Sequence, residues 1–143
     1  SDLPPEEADE WTTAASDCAL DRVYLIAPTT PPARARVIAS RTSGFVYLVA
    51  RTGVTGASAE LAPELRGLVA HIREVSNLPI AVGFGLREPE QVRAACSIAD
   101  GAVVGSAVVE IIARLGGAED VFYAVQQFVG SLAQATRREA GTT

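Results

Sequence analysis

The sequence predicts an α/β fold built on parallel strands. Three observations carry that expectation: short apolar and β-branched runs recur along the chain, each is followed by a stretch with helical spacing, and glycine or proline marks the turns between them. Four such runs alternate with helices within 143 residues, a pattern that right-handed β-α-β crossovers produce in one domain large enough to bury a real core.

The elements follow in order. Leu3, Pro4, Pro5, Glu6 and Glu7 form a helix start, with prolines at the first turn and acids at the positive end of the dipole, so a helix is expected to about Ala19. Arg22 to Ala27 is a short apolar run stopped by Pro28; lacking alternation, it fits a strand buried on both faces. Residues 31–39 read as helix, 44–50 as strand, 63–75 as helix, 78–83 as strand, 88–98 as helix, 101–104 as strand, and 106–115 and 120–137 as two closing helices. Val121, Val125, Phe128 and Leu132 form one stripe of the last helix, which should therefore dock. Residues 137–143 lack apolar periodicity and should fray. Arg51 to Leu61 is the one long connection, and loops of that length in a compact α/β domain are usually functional.

A balance of 17 acidic against 12 basic residues, net −5, argues against a nucleic-acid partner, which needs a clustered cationic surface. Cys18 and Cys96 stand far apart, so no disulfide framework or paired metal motif is expected; both read as small helix residues packed against strands, in a reduced cytoplasmic compartment. No apolar run approaches the roughly 18 residues of a membrane span, and no basic-then-apolar leader is present, so a soluble, untargeted chain is expected. Absence of methionine and a start at Ser1 read as the interior of a longer protein.

Three small-residue clusters follow the carboxyl ends of successive strands: Gly53 to Gly56, Gly83 to Gly85, and Gly105 with Ser106. Ligands bind at that end of parallel folds because loops and helix amino termini converge there. Glycine lets backbone approach an anion, and amides at the start of the helix from Ser106 sit where its dipole favours phosphate. A phosphate pocket made by the last two loops is the expectation; Gly83 and Gly85 serving only a tight turn is the alternative. His71, beside Arg73 and Glu74, reads as part of a solvated helix face. Glu6, Glu7, Glu119 and Asp120 read as dipole-complementing acids at helix starts.

These residues resemble one family closely. Gly44 to Gly56, with its Gly-Val-Thr-Gly element, resembles the sixth strand and mobile sixth loop of the tryptophan synthase alpha subunit, a (β/α)8 barrel. Asn77 to Gly85, with Pro89 to Val92 beyond it, is similar to the seventh strand and loop; Asp100 to Ala107 is similar to the eighth strand and phosphate loop, and Ser1 to Glu7 to the end of the fourth strand. The resemblance implies that residues 1–143 form a single partial TIM-barrel domain, from the end of strand 4 through helix 8.

It further implies that Gly56, Gly85, Gly105 and Ser106 contact the phosphate of indole-3-glycerol phosphate, with Phe84 beside it. Tyr47 would line the pocket near the glycerol portion, a core aromatic being the alternative. Thr55 and Gly53 belong to the loop that closes over substrate, and Arg51 to its start. The family's reaction is a retro-aldol cleavage to indole and glyceraldehyde 3-phosphate, driven by a glutamate and an aspartate as general acid and base. Both lie upstream of Ser1 in the family, so no catalytic residue is assigned here and Asp2 is not a substitute; the fragment alone is expected to be inactive. The alpha subunit uses no cofactor; pyridoxal phosphate belongs to the beta subunit it partners in an α2β2 assembly, with residues 1–7 and 28–32 facing that partner. The competing expectation is a catalytically inactive phosphate-binding module that self-associates through its unpaired strand edges.

Overall fold

Several helices begin where the chain supplies proline. In the computed structural model, which describes residues 3–50, 63–116 and 120–137, Pro5–Glu7 forms a single 3-10 turn and α1 spans Asp9–Asp17, two short pieces where one helix to Ala19 was expected. Prolines open α2 (Pro32–Arg41), α3 (Pro63–Val75) and α4 (Pro89–Ile98), because the ring presets φ and the missing N–H has no intrahelical partner at that position. Gln91 adds a cap to α4, its Oε1 accepting from the amides of Arg87 and Glu88 at 2.8 and 3.1 Å. The last two helices, α5 (Ser106–Leu115) and α6 (Val121–Ala135), complete the set.

The end of α1 is unusual. Ala19 has φ +54; its amide donates to the Ser16 carbonyl at 3.0 Å and the Leu20 amide donates to the Ala15 carbonyl at 2.8 Å. This double closure normally has glycine at the left-handed position, since a Cβ crowds the following carbonyl there. Ala19→Gly should therefore raise stability by about 0.5–1 kcal/mol in urea unfolding.

Four strands, β1 (Leu25–Ile26), β2 (Val46–Val49), β3 (Ile80–Gly83) and β4 (Gly101–Val103), form one parallel sheet in sequence order. All are shorter than the apolar runs that encode them. Registers pair Leu25 with Tyr47, Tyr47 with Ala81, and Ala81 with Gly101; one residue on, Ile26, Leu48, Val82 and Ala102 align. Because neighbours in register share a face, the sheet has two unlike sides. Ile26, Val46, Leu48, Ile80 and Val82 are fully buried against Ala35 and Ile38 of α2, Leu65, Leu68, Val69 and Ile72 of α3, and Ala95 of α4. On the opposite side Tyr47, Val49, Ala81 and Val103 are half-buried and Leu25 is exposed. The expectation of a first strand buried on both faces is thus corrected: its apolar residues do point both ways, but helices of this chain cover one side.

A second, smaller core joins Val92 and Cys96 of α4 to Leu132 and Ala135 of α6, with Phe128 packed on it, so the stripe on the last helix docks as expected. Cys96 is buried, but Cys18, at the end of α1, is exposed rather than packed on a strand. His71 is also not on a solvated face: its side chain is three-quarters buried, with Nε2 3.2 Å from the Pro32 carbonyl and Nδ1 3.6 Å from Glu74, joining α3 to the start of α2. Glu119 and residues 138–143 lie outside the described residues.

Two sets of polar contacts fix the edges of the assembly. Arg34 of α2 pairs with both carboxylate oxygens of Glu6, and Arg41 reaches Asp9 and the Pro5 carbonyl, both at 3.4 Å. The Arg34 hydrogen bond, helped by a backbone amide, holds the Glu6 carboxyl below its ordinary value of 4.5. A carboxylate lowered on folding contributes stability above that ordinary value and loses it as pH falls through the folded one. At the amino-terminal edge of the sheet, the Asp100 carboxylate accepts the Ile80 amide at 2.8 Å and Arg73 of α3 at 3.2 Å to each oxygen, while the Asp100 amide donates to the Ile80 carbonyl at 2.8 Å.

Candidate functional site

Parallel strands all point one way, so the residues after β3 and β4 emerge side by side. Gly83 pairs with Val103, which sets Phe84 and Gly85 next to Val104 and Gly105. Phe84 and Gly85 have φ of +83 and +81, two successive left-handed residues that turn the chain sharply off the end of β3. Glycine accepts that conformation freely; for phenylalanine it is strained, and strain of this kind, about 1–3 kcal/mol, clusters at functional turns. Phe84 is 67 % exposed, so burial of this residue does not hold the backbone in place.

The neighbouring turn passes through Gly105 directly into α5. Amides of Val108 and Val109 donate to the Gly105 carbonyl at 2.9 and 3.1 Å, which closes the first turn of the helix. The earliest amides of such a helix have no acceptor within it and carry the positive end of its dipole. A Cβ built on Gly105 meets nothing within 4 Å, so open space lies in front of this turn. Gly85, Gly105 and Ser106 are all exposed. They leave exposed backbone at the carboxyl end of the sheet, the kind of seat where a helix amino terminus favours an anion.

Tyr47 stands on the uncovered side of β2, half-buried. Its position depends on Gly83, two residues beyond its partner Ala81 in β3: a Cβ at Gly83 would lie 2.2 Å from the Tyr47 hydroxyl oxygen, 2.6 Å from its Cζ and 2.9 Å from Val103 Cβ. Gly83 has no positive φ, so its requirement is steric, not conformational. The tyrosine ring occupies the volume a side chain would take, which puts its hydroxyl beside the end of β3 and close to the Phe84–Gly85 turn.

Of the expected site residues, Phe84, Gly85, Gly105 and Ser106 follow the carboxyl ends of the neighbouring strands β3 and β4, and Tyr47 stands on the uncovered side of β2. Arg51, Gly53, Thr55 and Gly56 fall outside the described residues, as does Asp2. Two features escaped the sequence reading: the steric role of Gly83, which only strand register reveals, and an ion pair between Arg87, just after the Gly85 turn, and Glu110 of α5. Among the described residues no group of three or more His, Cys, Asp or Glu side chains could hold a metal ion, and no helix is long and apolar enough to cross a membrane.

The family model for the tryptophan synthase alpha chain matches residues 1–137. The chain is 49% identical over 114 residues to the tryptophan synthase alpha chain of Chloroflexus aurantiacus, covering 80% of this chain and 43% of that one. To the same protein from Chloroflexus aggregans it is 44% identical over 137 residues, covering 96% and 51%. A solved chain from the tryptophan synthase a2b2 complex of Pyrococcus furiosus superposes with a TM-score of 0.79 at 36% identity, covering 93% of this chain and 53% of that one. The chain thus spans about half the length of the relatives it matches, and its four strands correspond to half of their barrel.

Proposed function

Because the chain belongs to the tryptophan synthase alpha chain family, a family of lyases in tryptophan biosynthesis, we propose that residues 1–143 are a single partial barrel domain holding the phosphate end of an indole-3-glycerol phosphate site. One observation supports this reading: two turns, Phe84–Gly85 and Gly105–Ser106, follow the paired ends of neighbouring strands, and the second opens α5 with nothing within 4 Å of a Cβ at Gly105. Gly85, Gly105 and Ser106 bind the phosphate through backbone amides and the helix dipole, Phe84 flanks it, and Tyr47 faces the glycerol portion. Gly56 completes the phosphate contacts, and Arg51, Gly53 and Thr55 close the loop over the substrate.

Retro-aldol cleavage to indole and glyceraldehyde 3-phosphate requires a general acid and base; in this reading both carboxylates come from the preceding half of the barrel, and the 143-residue chain alone releases no indole. No cofactor is needed for that chemistry. The partner is a beta subunit, as in the a2b2 complex of the Pyrococcus furiosus relative, and the compartment is the cytoplasm. The half-covered sheet face favours one further reading, a catalytically inactive module that self-associates through that face; sedimentation of the chain as a monomer at micromolar concentration would remove it.

The decisive test is calorimetric titration of the chain with glyceraldehyde 3-phosphate, compared with Gly105→Asp. The new carboxylate meets no protein atom within 4 Å of its Cβ and sits at a position where aspartate is well tolerated, so thermal stability should hold while affinity falls at least about tenfold by charge repulsion. Absence of binding by either form would overturn the assignment.

A further inference from the structure

The seat described above is built from two separate pieces of chain, the β3–α4 turn and the amino terminus of α5. Gly85 and Ser106 can grip one anion only if those pieces keep a fixed spacing. The strand pairing of β3 with β4 ends at Gly83 and Val103, before either turn begins. Beyond it, Arg87 and Glu110 form an ion pair that bridges the turn to α5.

Both ends of this bridge are anchored. The Arg87 amide donates to Gln91 Oε1 at 2.8 Å, which ties its backbone to the first turn of α4. Glu110 lies in the body of α5, four residues and so about one turn beyond Ser106, on the same side of the helix. Left alone, its carboxylate would add negative charge beside an anion site. Arg87 is the one cation between Phe84 and Glu88, and pairing cancels that charge.

Resting on the phosphate reading and deepening it, we infer that the Arg87–Glu110 pair is a positioning device: it sets the Phe84–Gly85 turn against the start of α5 and shields the site from the Glu110 carboxylate. Arg87 acts through the two turns and is not itself a ligand of the phosphate.

Three variants of the full 143-residue chain test this: Arg87→Ala, Arg87→Glu, and the exchanged pair Arg87→Glu with Glu110→Arg. Exposed pairs contribute modestly, so Arg87→Ala should weaken glyceraldehyde 3-phosphate binding by about two- to fivefold. Arg87→Glu should weaken it further, and the exchanged pair should return to within about twofold of the parent. In ligand-free protein, amide exchange at residues 84–86 should quicken in both single variants and recover in the exchanged pair.

Recovery in the exchanged pair separates positioning from direct contact, because a guanidinium that touched phosphate from position 87 could not be replaced by one at 110. Weak binding that persists in the exchanged pair, or amide exchange indifferent to Arg87→Glu, would overturn the inference. If the parent chain binds no phosphate ester while amide exchange responds as described, the loop tie stands and it is the phosphate reading that fails.

Discussion

Gly83→Ala should destabilise the chain by about 1–3 kcal/mol, the range for inserting a methyl group into a packed space, and replacing Tyr47 should recover most of that loss. The added carbon would lie 2.2 Å from the Tyr47 hydroxyl oxygen and 2.6 Å from Cζ, closer than non-bonded atoms approach. The ring must leave, or the strands must part. Tyr47→Phe removes the shorter contact but leaves the ring carbon, so it should rescue in part; Tyr47→Leu should rescue more. Val103 Cβ, at 2.9 Å, still opposes the new methyl and keeps recovery incomplete. A double-mutant cycle read by urea unfolding should give a coupling of about 0.5–3 kcal/mol, the size found for residues in contact. Additive effects would mean that Tyr47 does not occupy the space above Gly83.

Asp100→Ala should cost about 2–3 kcal/mol, also by urea unfolding. Its carboxylate accepts the Ile80 amide and both bonds from Arg73, so one truncation leaves the first amide of β3 and a cation of α3 without their acceptor. Hydrogen bonds to charged groups are worth about 1.5–3 kcal/mol each when lost with the partner left behind, and partial exposure of Arg73 and Asp100 reduces the share from the ion pair. Asp100→Asn keeps an acceptor for the Ile80 amide and should lose less than half as much. This position lies at the amino-terminal edge of the sheet, opposite the proposed phosphate site, so binding per folded molecule should be unchanged.

What the sequence made legible was whatever depended on short-range chemistry. The bounds of α3 and α5 were read correctly because Pro63 and Gly105–Ser106 announce the starts and apolar spacing carries through. Parallel α/β topology and the glycine turns after β3 and β4 were readable for the same reason: a strand, a glycine and a helix start are contiguous. Features that depend on which residues meet across the sheet were not. Gly83 read as a turn residue because its sequence neighbours are Phe84 and Gly85; only the pairing of β2 with β3 shows that its missing side chain makes room for Tyr47. Strand ends were overestimated because apolar residues such as Val23 and Phe45 continue the runs beyond the paired segments. Cys18 and His71 were misplaced because helix position alone does not say how far a side chain stands from the next element.

The two-sided sheet has a consequence for how this chain can change over generations. In β1, β2, β3 and β4 the residues facing the helices are 26, 46, 48, 80, 82 and 102, and those facing away are 25, 47, 49, 81, 83, 101 and 103. The packed side and the open side are therefore written in alternating letters of the same short words. Substitutions at 47, 49, 81 and 103 can reshape the open side without disturbing the packed side, while 46, 48, 80 and 82 are held to bulky aliphatic residues by the core. Gly83 is the exception, a position on the open side whose freedom is removed by a neighbour on the same side, so any lineage that alters it must first, or at once, alter Tyr47.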